Sequence, residues 1–153
     1  GSLVYVATWC AHTSGWTDIS RGGGYLMNTS SAAGLLNQIG GAAYGVTKHA
    51  AVGFGEWVAI HHQHEGIKVS MLCPQAVRTP MTEIVNDATA AAASNGMIEP
   101  ADLAETVVEE LRKESFIILP HPIVLDYMRN KTNNYDRWIG GMNKLMRKIT
   151  GLI

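Results

Sequence analysis

Short apolar runs at residues 25–30, 67–73 and 116–119 alternate with long helical stretches, and this alternation constrains the chain more than any other feature. The first run, Tyr25-Leu26-Met27-Asn28-Thr29-Ser30, reads as a buried strand. It feeds a turn region at 32–43 that is rich in glycine and small residues. A helix at 43–64 follows, with Val46, Val52, Phe54, Val58 and Ala59 read as its apolar face. Gly66 stands where a helix C-terminus favours glycine. Residues 67–73 make the next buried strand, which Pro74 stops. The Ala-rich stretch 82–95 reads as a helical lid, Glu99-Pro100-Ala101-Asp102 opens a helix reaching Lys113, and 116–119 is the last short strand. There is no internal repeat.

Composition narrows the function classes. With 153 residues, 46% of them hydrophobic, and a formal net charge of −1, the chain is long enough for one soluble globular domain. That charge gives no electrostatic reason to expect a nucleic-acid partner, and no apolar run is long enough to span a bilayer. No signal peptide is expected. Cys10 and Cys73 lack the spacing of a metal or redox motif, so reduced thiols and a cytoplasmic location are the expectation, with Cys73 a core residue.

Chemistry enters with Ser31, Tyr44 and Lys48, spaced Ser-x12-Tyr-x3-Lys. Tyr44 and Lys48 are four residues apart, so on a helix they share a face and lie one turn apart. A cation held beside a phenol stabilises the phenolate, which makes the hydroxyl a usable acid and base. Ser31 follows directly on the first strand, and groups at strand ends build the sites of open α/β sheets. Tyr127 and Lys131 form a second Tyr-x3-Lys, but Glu114 stands where its serine should be, and no matching strand or proline loop brackets it. It reads as a coincidence of spacing.

These residues resemble the classical short-chain dehydrogenase/reductases from Gly22 to about Leu119, through GGGYLMNTSSAAG, AYGVTKHAAVGFGEWVAI, IKVSMLC and PQAVRTP. The resemblance implies an α/β fold, a Rossmann-like doubly wound parallel sheet, represented here by its C-terminal strands and helices. It assigns Tyr44 as proton donor or acceptor at the reacting oxygen and Ser31 as the group orienting that oxygen. Lys48 is assigned to the nicotinamide ribose and to tuning Tyr44. The loop Pro74-Gln75-Ala76-Val77-Arg78-Thr79 matches the family's Pro-Gly-x-Val-x-Thr, so Pro74, Val77 and Thr79 are expected beside the nicotinamide, with Thr79 on its amide. Gln75 replaces the usual glycine. NAD or NADP is the implied cofactor, and a small alcohol or ketone, with a lean toward an apolar one, is the implied substrate.

The division expected is 1–21 unassigned, 22–134 the catalytic half, and 135–153 an amphipathic C-terminal helix. Two family features are missing. Gly22-Gly23-Gly24 precedes a strand instead of joining a strand to a helix, so it is a turn signal and no phosphate cradle; residues 1–21 contain no Asn for a proton relay. Residues 3–7 are the candidate strand for covering the sheet edge. An NAD(P)-dependent oxidoreductase present as a truncated chain is therefore weighed against a non-enzymatic remnant that keeps the fold and subunit contacts without cofactor binding. His61 and Glu65 have the spacing of a metal pair, but a solvated helix end suits them better and no metal is expected. Trp138, Ile139, Met142, Leu145, Met146 and Ile149 form one face of the last helix, which reads as packing on the body or on another subunit ahead of a membrane surface. Met81, Ile84, Val85, Met97 and Ile98 are candidates for a substrate pocket. A homo-oligomer is expected through the Tyr44-containing helix, with Ala50, Ala51, Gly53, Gly55 and Trp57 on its outer face.

Overall fold

The computed structural model describes residues 4–6, 22–83 and 87–152. Its centre is a parallel sheet of β1 (Val4–Val6), β2 (Gly24–Thr29), β3 (Ile67–Leu72) and β4 (Ile117–Ile118), side by side in chain order. Parallel neighbours require crossover connections. Between β2 and β3 the crossover contains α1 (Ala33–Leu36) and α2 (Ala42–His62); between β3 and β4 lie α3 (Pro80–Glu83), α4 (Asp87–Ala92) and α5 (Pro100–Arg112). After β4 come α6 (Ile123–Asn133) and α7 (Tyr135–Ile149).

Both faces of the sheet are covered, which gives the doubly wound α/β arrangement. On one face Leu26, Ile67, Val69, Met71 and Cys73 pack with Val52 and Val58 of α2. On the other, Met27, Leu72 and Ile118 meet Leu103, Val107 and Leu111 of α5. Strands buried on two faces are apolar at consecutive positions, hence the continuous runs in the sequence. Buried polar side chains within the strands are paired: the Tyr25 and Ser70 hydroxyls lie 2.8 Å apart, and Ser70 donates to the Ser115 carbonyl at 2.6 Å.

Several expectations need correction. The face of α2 on the core is Gly45, Val52, Gly55 and Val58, whereas Val46 and Phe54 are exposed. Of the five residues expected outside, Ala51 packs on the core and Gly55 lies against Met71; Ala50, Gly53 and Trp57 do face outward. The helix is apolar all round, so periodicity alone chose the wrong seam. Region 32–43 contains the short helix α1, and α6 forms where no element was expected. The lid stretch is α3, α4 and a final 3-10 turn at Ala93–Asn95. Val4–Val6 pairs in parallel with Tyr25–Met27 and covers the β2 edge. Leu3, Ala7, Cys10 and the segment 8–21 lie outside the described residues, as do Ile84 and Val85.

Close approach of α1 to α2 depends on Gly34. A Cβ there would stand 2.6 Å from the Lys48 carbonyl oxygen, which already accepts the Ser30 hydroxyl at 2.9 Å. Gly53, also helical, has open space around it. Gly34→Ala should therefore destabilise by about 1–3 kcal/mol through overpacking, and Gly53→Ala should stabilise by about 0.5–1 kcal/mol by removing backbone entropy from the unfolded chain. Urea denaturation of the two variants checks the opposite signs.

Candidate active site

Parallel strands bring their C-terminal ends to one edge, and the segments leaving β2, β3 and β4 meet there. Ser30 N–H donates to the Leu72 carbonyl and Ala32 N–H to the Pro74 carbonyl, both at 2.8 Å, so the turn after β2 is fastened to the loop after β3. Between these anchors the Ser31 hydroxyl accepts from Ala33 N–H at 3.1 Å and donates to the Pro74 carbonyl at 3.4 Å. The second bond is long and easily exchanged for another acceptor. Tyr44, in the first turn of α2, is 40% exposed. Lys48 Nζ lies 5.6 Å from the centre of its ring and donates to the Thr29 carbonyl at 3.3 Å. An ammonium has three protons, so that bond leaves donors for a ligand.

Ser31 and Tyr44 line one cleft of about 560 Å³. Ala33, Leu36 and Ile39 form its floor beside them; Thr82, Thr89, Ala92 and Asn95 come from the lid, and Trp138, Met142 and Leu145 from α7. Lys48, Pro74, Val77 and Thr79 are not in the lining. Lys48 sits behind Tyr44, and Pro74 touches Ser31 through its carbonyl. Val77 pairs with Ile98 in a parallel bridge and its carbonyl accepts the Thr82 hydroxyl at 2.8 Å, while Thr79 N–H donates to the same hydroxyl oxygen at 3.0 Å. Met97 and Ile98 are not in the lining either. The α7 helix packs against its own chain through Trp138, with Ile139 left exposed.

A model of the short chain dehydrogenase family matches residues 6–90. The chain belongs to the short chain dehydrogenases. A 3beta-hydroxysteroid dehydrogenase of Mediterraneibacter gnavus is 39% identical over 61 residues, 40% of this chain and 22% of that protein. Among solved structures, a short chain dehydrogenase/reductase of Burkholderia phymatum in complex with NAD superposes with a TM-score of 0.64 at 23% identity, covering 77% of this chain and 50% of that one. A short chain dehydrogenase of Burkholderia cenocepacia in complex with NADP gives 0.63 at 13% identity, covering 78% and 47%. The chain thus spans about a fifth of the curated relative and about half of each structure. The structures share the fold.

Other features of this short chain dehydrogenase were not legible beforehand. Gln75, in the family's glycine position, is not among the described non-glycine residues with positive φ, which are Asn37 and Glu114, so the turn accepts a side chain there. Its N–H donates to Nδ1 of buried His121 at 3.2 Å, and its side-chain oxygen accepts from Asn95 at 3.4 Å. Tyr127 donates to Asn95 at 3.0 Å and lines the cleft, and its supposed partner Lys131 caps the Leu35 carbonyl at 2.6 Å instead. The only signal for His121 was its position just past a strand end. Gly23 lies against the Gly66 backbone, a packing role at the opposite end of the sheet. His61 bonds the Trp57 carbonyl at 2.8 Å and Glu65 pairs with His62 at 2.5 Å, so the His61 and Glu65 spacing does not bring those two together. Burial pushes the Cys73 thiol up to about 11, keeping it an inert core group.

Burial also holds the His121 imidazole below its ordinary range. Its folded state takes up the proton only at lower pH than the unfolded chain, so the contribution to stability is intact above about pH 6.5 and falls as pH drops through the window below, levelling once the folded form is protonated. Protonation would also set an N–H against the Gln75 N–H. Urea midpoints measured at about pH 7.5 and about pH 5.5 should show this loss in the wild type and a smaller one in His121→Gln. Equal losses in the two proteins would refute the assignment.

Proposed function

We propose that this site interconverts a secondary alcohol and a ketone with NAD or NADP. One observation carries the reading: Ser31 and Tyr44 open onto a single cleft, and the Lys48 ammonium stands 5.6 Å from the Tyr44 ring. Membership of the short chain dehydrogenases supports it, as do the NAD and NADP complexes of the two Burkholderia relatives. The described residues fit the nicotinamide end of such a cofactor. Lys48 has ammonium protons to spare for the ribose, and Pro74, Val77 and Thr79 border the same strand ends. They include no glycine turn between a strand and a helix for its pyrophosphate.

The bound cofactor supplies or accepts the hydride. Tyr44 gives its hydroxyl proton to the forming alkoxide in reduction and takes it back in oxidation. The Lys48 charge stabilises the phenolate left behind. Ser31 orients the oxygen by exchanging its long bond to Pro74 for one to the substrate. Tyr44→Phe keeps the ring and removes the proton, so kcat in the complete enzyme should fall on the order of a thousandfold with folding unchanged. Lys48→Met should lower kcat and weaken cofactor binding together. Tyr127→Phe should leave the chemical step nearly intact. Retention of more than about a tenth of wild-type kcat by Tyr44→Phe would refute the assignment.

The same reading includes a homo-oligomer built on α2. Val46, Phe54, Trp57 and Ile60 are exposed on one helix, with Ile60 at 76%, and Phe54 and Trp57 stack with ring centres 6.4 Å apart. Ala50 and Gly53 between them allow close approach of a second copy, and an isologous contact needs only one such patch. A cytoplasmic location suits the unpaired, buried Cys73 thiol. No helix among the described residues is long and apolar enough to cross a membrane. Trp57→Glu should shift sedimentation toward the monomer without altering the far-ultraviolet spectrum; an unchanged assembly state would refute the interface.

A further inference from the structure

We infer that the substrate is an uncharged carbonyl compound, or its alcohol, with a ring-sized apolar body, and that α7 is the wall that selects it. The inference rests on the alcohol and ketone chemistry proposed above.

The cleft's volume of about 560 Å³ falls within the range that encloses a small organic molecule. Ser31 and Tyr44 mark the end where an oxygen reacts. The body of the ligand meets Leu36 and Ile39 on one side and Trp138, Met142 and Leu145 on the other. Among the described residues, no Asp, Glu, Lys, Arg or His lines the cleft. The cations of α7, Arg137, Lys144, Arg147 and Lys148, are all exposed and absent from that lining. Of the carboxamides at the rim, those of Asn95 and Gln75 are engaged, since Tyr127 donates to Asn95 and Asn95 to Gln75.

A carboxylate or phosphate carried to the α7 end of the cleft would lose its hydration without gaining a cation from the described lining, a cost that disfavours it there. Uncharged oxygen is different. The Ser94 hydroxyl on the lid side can accompany a second ether, ester or alcohol oxygen. The apolar residues of α7 supply the attraction, because each methylene removed from water against them is favourable.

Methyl para-acetylbenzoate and para-acetylbenzoate share an aryl methyl ketone and differ by one charge. Each is titrated calorimetrically into the complete enzyme with oxidised cofactor present, so that no turnover occurs. The ester should bind at least about tenfold more tightly than the acid. Met142→Arg should shrink or reverse that ratio, and Leu145→Trp, at the rim and tolerant of substitution, should weaken the ester at least about threefold by filling the wall. Equal binding of the two compounds by the wild type, or ester binding unchanged in both variants, overturns the inference. Turnover with reduced cofactor separates it from the reading beneath. An ester that binds selectively and is never reduced refutes the redox chemistry and supports the neutral pocket; reduction of the ester with equal binding of the acid does the reverse.

Discussion

The seam between α1 and α2 governs everything at the open edge of the sheet. The Ser30 hydroxyl reaches the Lys48 carbonyl, Gly34 allows the backbones to touch, and the Lys48 ammonium returns to the Thr29 carbonyl. These contacts join the last residue of a strand, the turn after it and the second turn of a helix, with Thr29 and Lys48 only 19 positions apart. Because the seam admits no side chain, Ser31 and the first turn of α2 are held in one relative position. Tyr44 then faces the same cleft as Ser31 without any direct bond between them. The geometry is preorganised by backbone packing, which deforms less readily than a side-chain contact.

Much of this fold was legible because its strands are buried twice. A strand covered by α2 on one face and α5 on the other is apolar at nearly every position, and Tyr25 to Met27 and Val69 to Leu72 satisfy that demand, with Ser70 admitted because its hydroxyl is bonded. The Ser31, Tyr44 and Lys48 spacing was legible because a helix fixes what lies four residues on. What escaped was whatever depended on a second element. The orientation of α2 could not be read, since Val46, Phe54, Trp57 and Ile60 are as apolar as Val52 and Val58, and the inward side is marked by Gly45 against Asn37 and Gly55 beneath Met71. Helix α6 escaped because it buries little beyond Val124, so its pattern is faint.

The candidate site divides along the same line. The end that holds Ser31, Tyr44 and Lys48 belongs to one short stretch of sequence and was visible there. Gln75, His121, Asn95 and Tyr127 come together from four separate segments, and each has an ordinary side chain with no spacing to betray it. The glycine that the family motif lacks here is part of that assembly: its replacement supplies the carboxamide that connects the loop after β3 to the lid. A departure from the motif thus became a structural joint.

The two ends of the cleft are also anchored differently. Ser31 and Lys48 are tied to strands, so a substitution near them disturbs the sheet itself. The α7 helix contributes no strand and touches the body through a few side chains such as Trp138, over α6 and the short α1. Sequence can drift along that helix at little cost to folding. A scaffold arranged this way uncouples the two walls of its cleft, so the one built by α7 can change shape without loosening the sheet that holds the other.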